Sequence, residues 1–215
     1  MELDVTAPED VLKKKAEEVD AAFFAEYDEA FLTKALRNNA LGPLNLTRAF
    51  LPSMRARSSG TILFISTYGV NFGSPGASPY LASKGLLEAL VPCLASEVQP
   101  FGIRTCLVQP GLFRTKVFTS GNVQYRAPNK LPEYAAMNKL VKDGCSTMDG
   151  AQSGDPQKAA QTIFEAVRGE GRCAGRELPD RLPLGEDAVQ TFRDSSLAKV
   201  KIADEWESIS SSTGY

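Results

Sequence analysis

The chain has 215 residues, 43% apolar and 23% charged, with a formal net charge of −2. That is enough for a single globular domain, residues 1–215, with a core of its own, and too little positive charge, with no basic run, for a nucleic-acid-binding face. No apolar run approaches membrane-spanning length, and the absence of histidine removes the base of Ser-His-Asp and Cys-His hydrolases and argues against the common zinc sites, so no metal site is assigned.

In chain order, Lys13-Lys14-Lys15 reads as the wet face of a surface helix. A long helical pattern follows from about Asp28 to Met54, broken in its middle by Gly42-Pro43. Gly60-Thr61-Ile62-Leu63-Phe64-Ile65 is a short apolar run of the kind that forms a buried strand, with Ser66 and Thr67 at its C-terminal end. The loop from Tyr68 to Pro79 is rich in glycine and proline. Ser78 is read as a cap and Pro79 as a first-turn proline, so that a helix runs from Pro79 to Val98, with Pro92 midway.

Ile103 to Gln109 reads as a second buried strand and ends in Pro110-Gly111, with Thr115 shortly after. A loop-rich stretch to about Ala151 contains a short helix near Glu133 to Val141. Asp155-Pro156 opens a helix over Gln157 to Val167. Arg181 to Gly185 is a last strand, Glu186 to Trp206 a final helix, and Ser208 to Tyr215 a frayed polar tail.

Cys93, Cys106, Cys145 and Cys173 show no paired spacing, and no secretory leader is recognised, so they read as reduced thiols of a cytoplasmic protein. Cys93 and Cys106 fall in apolar periodic segments and are assigned to packing. Glu88, Glu97 and the pair Glu186-Asp187 are read as solvated carboxylates.

The chemistry is concentrated in Tyr80-Leu81-Ala82-Ser83-Lys84. A tyrosine and a lysine four residues apart share a helix face, one turn above the other. A fixed ammonium beside a phenol favours phenolate and is expected to lower its pKa from about 10 towards neutral, where it can exchange a proton with an alcohol or carbonyl. Thr67 and Ser66 would face this pair from a strand's carboxyl end, the place where open parallel sheets bind ligands.

In their order and spacing, Leu3-Asp4-Val5-Thr6, Asn39 to Gly42, Ser66-Thr67, Tyr80 to Lys84 and Pro110-Gly111 through Thr115 resemble the short-chain dehydrogenase/reductase family. The resemblance implies an incomplete Rossmann-like, doubly wound parallel sheet and an oxidoreductase using NADP or NAD to interconvert alcohols and ketones. Tyr80 is then the proton donor or acceptor, and Lys84 lowers its pKa and holds the nicotinamide ribose. Thr67 stands where the family has a serine that binds the substrate oxygen, and Ser66 is the reserve candidate. Asn39 matches the position whose backbone carbonyl holds a relay water. Asp4, Pro110, Gly111, Phe113 and Thr115 join Tyr80 and Lys84 as cofactor contacts.

Pro43 adds an observation of its own, since it cannot donate an amide hydrogen to the carbonyl of residue 39 and its ring clashes there. The helix should kink and leave that carbonyl free. The plainer alternative is a simple break between two helices.

Compared with the family, the expected Gly-rich pyrophosphate turn is missing, and only Asp20 stands where a fourth strand is expected. The implied form is N-terminally truncated, with the strand at Thr61–Ser66 left as an open edge. The helix from Pro79 to Val98 is apolar over much of its circumference, so more than one face wants burial, and the family resemblance, in which this helix packs across a two-fold axis, implies a homo-oligomer through it. Two functional readings follow: a nicotinamide-dependent oxidoreductase acting on a small alcohol or carbonyl, or a catalytically silent relative that serves as an interaction module or a non-functional fragment.

Overall fold

The computed structural model describes residues 19–119, 122–124, 127 and 129–214. Asp4 and Lys13-Lys14-Lys15 lie outside the described residues. The elements are β1 (Val19–Asp20), α1 (Glu29–Leu36), a π-helical turn (Arg37–Leu41), α2 (Gly42–Ala56), β2 (Gly60–Ile65), α3 (Ser78–Val98), β3 (Ile103–Pro110), β4 (Val123–Gln124), α4 (Ala135–Met148), α5 (Pro156–Arg168), β5 (Arg181–Leu184) and α6 (Glu186–Ser210).

The main sheet is parallel and three-stranded, in the order β2-β3-β5, with Ile65 opposite Val108 and Leu107 opposite Arg181. Each parallel pairing needs a crossover; α3 joins β2 to β3, and α5 lies between β3 and β5. Residues Thr105 to Gln109 of the central strand are all buried, as expected of a strand covered on both faces. Its side chains alternate. Leu107 joins Ala40, Leu44, Phe64, Leu87 and Val91 under α2 and α3. Cys106 and Val108 join Leu184, with Phe113, Ala159 and Ile163 packed against them, under α5. Full burial of side chains such as Leu87, Val91 and Leu107 contributes about 1.5–3 kcal/mol each before ordering costs. The doubly wound α/β reading of the sequence is therefore the observed architecture.

Among the described residues β2 is an edge strand, and β1 pairs in parallel with β4 rather than with β2. Pro183 sits in β5, at the other edge, where a missing donor is tolerated. Several local readings change. Ser78 is not the cap of α3: Ala77 holds that position without a side-chain bond, and the Ser78 hydroxyl is buried without a partner. Asp155 does cap α5, accepting from the Gln157 and Lys158 amides at 2.8 and 3.3 Å. The helix near Glu133 to Val141 runs instead from Ala135 to Met148, and α6 reaches Ser210, beyond Trp206 and into the stretch read as a frayed tail. Cys106 is fully buried, whereas Cys93 is exposed and does not pack in the core.

Candidate active site

The strand β2 ends at Ile65, and the next two residues leave it in opposite senses. The Ser66 amide still pairs with the Val108 carbonyl at 2.8 Å, and its buried hydroxyl has no partner. Thr67 turns towards α3 instead. Its extended backbone caps the short helical turn Tyr68–Asn71, its Oγ1 accepting from the Gly69 amide at 3.2 Å. A hydroxyl has one hydrogen and two lone pairs, so this acceptance leaves the Thr67 proton free. That hydroxyl lies beside the Tyr80 side chain and favours its charged form. Of the two candidate hydroxyls, Thr67 is the one brought to the phenol.

Tyr80 lies in the first turn of α3 and Lys84 one turn later, with the Lys84 Nζ 5.8 Å from the centroid of the Tyr80 ring. The ammonium donates to the Ile65 carbonyl at 2.8 Å. Because Ser66 points its backbone groups at β3, the Ile65 carbonyl points the other way, along the open edge of β2. Lys84 therefore closes the last acceptor of that edge. The electrostatic balance at the phenol is the reverse of the sequence expectation: burial pushes the Tyr80 pKa up from its ordinary value, and the Thr67 hydrogen bond opposes that rise. The Lys84 ammonium, drawn to the strand end, is not a cause of that shift. Burial also lowers the Lys84 pKa.

Asn39 joins from the neighbouring helix. It lies in the π-helical turn Arg37–Leu41, directly before Gly42-Pro43, and the Gly42 amide bonds back to the Arg37 carbonyl in the wide pattern of a π turn. The distortion expected from Pro43 is present as this wide turn. Asn39 Nδ2 donates to Ser83 Oγ at 3.1 Å, and Ser83 in turn donates to the Tyr80 carbonyl at 2.6 Å. The π turn is thus tied to the first turn of α3 at the residue that carries the phenol.

The loop after β3 is fixed separately. The Gly111 amide donates to the Leu184 carbonyl at 2.8 Å and the Leu112 amide to Asp187 Oδ2 at 2.7 Å. A Cβ on Gly111 would collide with that carboxylate, which accounts for glycine at this position. Asp187 is therefore not a solvated carboxylate, and its charge, after burial, helps raise the Tyr68 pKa. Thr115 caps a short turn, its Oγ1 accepting from Val117. Phe113 packs into the core under α5 and against Gly154.

A polar network crosses the sheet behind the site. Glu88, one turn beyond Lys84, accepts from Gln109 Nε2 at 2.9 Å and pairs with Arg181 Nε at 3.0 Å, while Gln109 accepts from Asn71 at 3.4 Å. The solvated reading of Glu88 fails because Gln109 and Arg181 reach it across β3 and β5. Glu26 is wholly buried and accepts from the Leu131 amide and from Asn138, fastening the segment 129–138 to the start of the fold. Glu88 had a signal in sequence, as the third member of a Tyr80-Lys84-Glu88 stripe, and so did Gln109, a polar residue inside an apolar run. Glu26 had none.

Among the described residues no group of His, Cys, Asp or Glu side chains is placed to hold a metal, and no helix is long and apolar enough to cross a membrane. Residues 9–125, more than half of the chain, match the model of the short chain dehydrogenase family. The oxidoreductase BOA17 of Botryotinia fuckeliana is 28% identical over 202 residues, 94% of this chain and 70% of that protein. The uncharacterized oxidoreductase YusZ of Bacillus subtilis is 28% identical over 160 residues, 74% of this chain and 57% of that protein. A solved short-chain dehydrogenase from Streptomyces avermitilis superposes with a TM-score of 0.75 at 36% identity, over 92% of this chain and 69% of its own. The chain belongs to the short-chain dehydrogenase family. It spans little more than half the length of YusZ.

Proposed function

We propose that the chain carries the proton-transfer half of a nicotinamide-dependent oxidoreductase that interconverts a small secondary alcohol and a ketone. The observation that carries this reading is the convergence of three side chains, with the Thr67 hydroxyl favouring the charged form of the Tyr80 phenol and the Lys84 ammonium 5.8 Å from the same ring. When bound, the nicotinamide accepts or delivers hydride at the substrate carbon. The residues present suit its ribose end: Lys84 spends one N–H on the Ile65 carbonyl and has two further donors beside the phenol. The pyrophosphate end finds no such match among the described residues. The tight turn from β5 into α6 through Gly185 opens on Glu186 and Asp187, the wrong charge for a phosphate.

Tyr80 holds its proton through neutral pH because burial raises its pKa, so it is set to donate to a carbonyl oxygen as the substrate is reduced. The Thr67 hydroxyl favours the charged phenol and so steadies the phenolate left behind. Asn39 and Ser83 hold the backbone of Tyr80. Self-association through α3 belongs to the same reading, since Leu90 remains 38% exposed there.

The test is a titration of NADPH and of NADH against the purified chain, followed by nicotinamide fluorescence. Saturable binding that survives Tyr80→Phe, with turnover lost, is the expected result. No saturation at millimolar cofactor would favour a catalytically silent interaction module instead.

A further inference from the structure

The final helix α6 continues past the body of the protein. Its first turns pack on β5 and on the Tyr68–Asn71 turn, but every residue from Leu197 to Ser210 is exposed, a free arm about 20 Å long. One stripe runs the whole length of α6 at alternating spacings of four and three. Ala188 is buried against the body, and Phe192 and Ser195 are half-buried there. Beyond the body the stripe continues through Lys199, Ile202, Trp206 and Ile209, with the three apolar side chains 59%, 55% and 60% exposed. Leu197 and Val200 fall on the opposite face. A stripe of this period is a seam for a second helix.

We infer that this arm pairs with the same arm of a second copy, antiparallel about a two-fold axis near Ile202. The charges choose the occupant and the direction. Lys199 and Lys201 precede Asp204, Glu205 and Glu207, so the arm is basic at its root and acidic towards its tip. Antiparallel pairing centred on Ile202 sets Lys199 beside Glu205 of the second copy. Parallel pairing sets like charges together. In the antiparallel register Ile202 meets its symmetry mate, Ile209 falls opposite Ser195, and Trp206 falls opposite Ala198, next to Lys199, whose ammonium suits an indole face. That pairing accounts for a lysine within the seam. Three carboxylates against two ammonium groups disfavour an anionic lipid surface as the occupant. A two-helix seam of this length lies at the small end of specific interfaces, so association in the micromolar range is expected.

The test is sedimentation equilibrium of the whole chain, together with the emission of Trp206, the only tryptophan. Wild type should show reversible self-association, with a blue shift in emission as the arms pair. Ile202→Glu should weaken association at least tenfold without changing the melting of the monomer, because residue 202 is exposed. Lys199→Glu and Glu205→Lys should each weaken it, and the two together should restore it, since each change then meets its opposite on the second copy. A strictly monomeric wild type, association indifferent to Ile202→Glu, or a failure of the double charge swap to recover would overturn the inference. A monomer that co-sediments with phosphatidylcholine–phosphatidylserine vesicles would overturn it in favour of a membrane. None of these outcomes depends on whether the chain binds nicotinamide.

Discussion

Glu88 lies one turn beyond Lys84 on α3, and its carboxylate is held 3.0 Å from Arg181 Nε on the last strand. The same carboxylate accepts from Gln109 at 2.9 Å, so α3, the central strand and the last strand meet at one side chain. Removing one partner of such a pair leaves the other desolvated. Glu88→Ala should therefore cost about 2–4 kcal/mol of stability. Glu88→Gln keeps one acceptor and should cost less. Urea unfolding of the two variants, compared at equal slope, measures both.

The π turn offers a second variant. Pro43→Ala restores the amide hydrogen that the carbonyl of Asn39 lacks in an α-helical pattern. Helicity should rise slightly, and the Asn39–Ser83 contact that steadies Tyr80 should loosen. Circular dichroism reads the first effect, and any turnover the chain shows should fall about tenfold or more. Unchanged helicity would mean that something other than Pro43 widens the turn.

Thr67 is expected to tolerate serine, which keeps the hydroxyl, and to fail as valine, which keeps the shape. Thr67→Val also removes the one interaction that lowers the Tyr80 pKa. The phenol should then titrate still higher in an alkaline difference spectrum, with Tyr80→Phe as the baseline. A titration identical to wild type would detach Thr67 from the phenol.

Alkaline pH tests the packing of Cys106, where burial, and then the charge of Asp180, pushes the thiol up from 9.0 to about 11. The folded form holds this proton more tightly than the unfolded form. The resulting stability is present below pH 9 and is lost as pH rises towards about 11. Cys106→Ala should flatten that part of the melting profile. In the same range exposed Cys93 should be alkylated readily and Cys106 only on unfolding.

Much of this fold was legible in sequence because its signals are local. Apolar runs at Thr61–Ile65 and Ile103–Gln109, the Asp155 cap and the Tyr80–Lys84 turn all became the elements expected of them. Long-range placements were not legible. Nothing near Glu88 in the chain announces Arg181, and nothing near Lys84 announces the Ile65 carbonyl that draws its ammonium to a strand edge. The pKa of Tyr80 was misjudged for that reason: spacing along one helix gives the presence of a charge, while its effect depends on what else the charge is bound to and on how deeply the phenol is buried. The π turn lay between, since Pro43 announces a distortion but not its form.

The most direct measurement of the central claim is oxidation of reduced nicotinamide by the purified chain over a panel of small ketones, with wild type and Tyr80→Phe run side by side. Turnover that falls by about 10²–10⁴-fold in Tyr80→Phe is the expected result. Equal rates from the two proteins would contradict it.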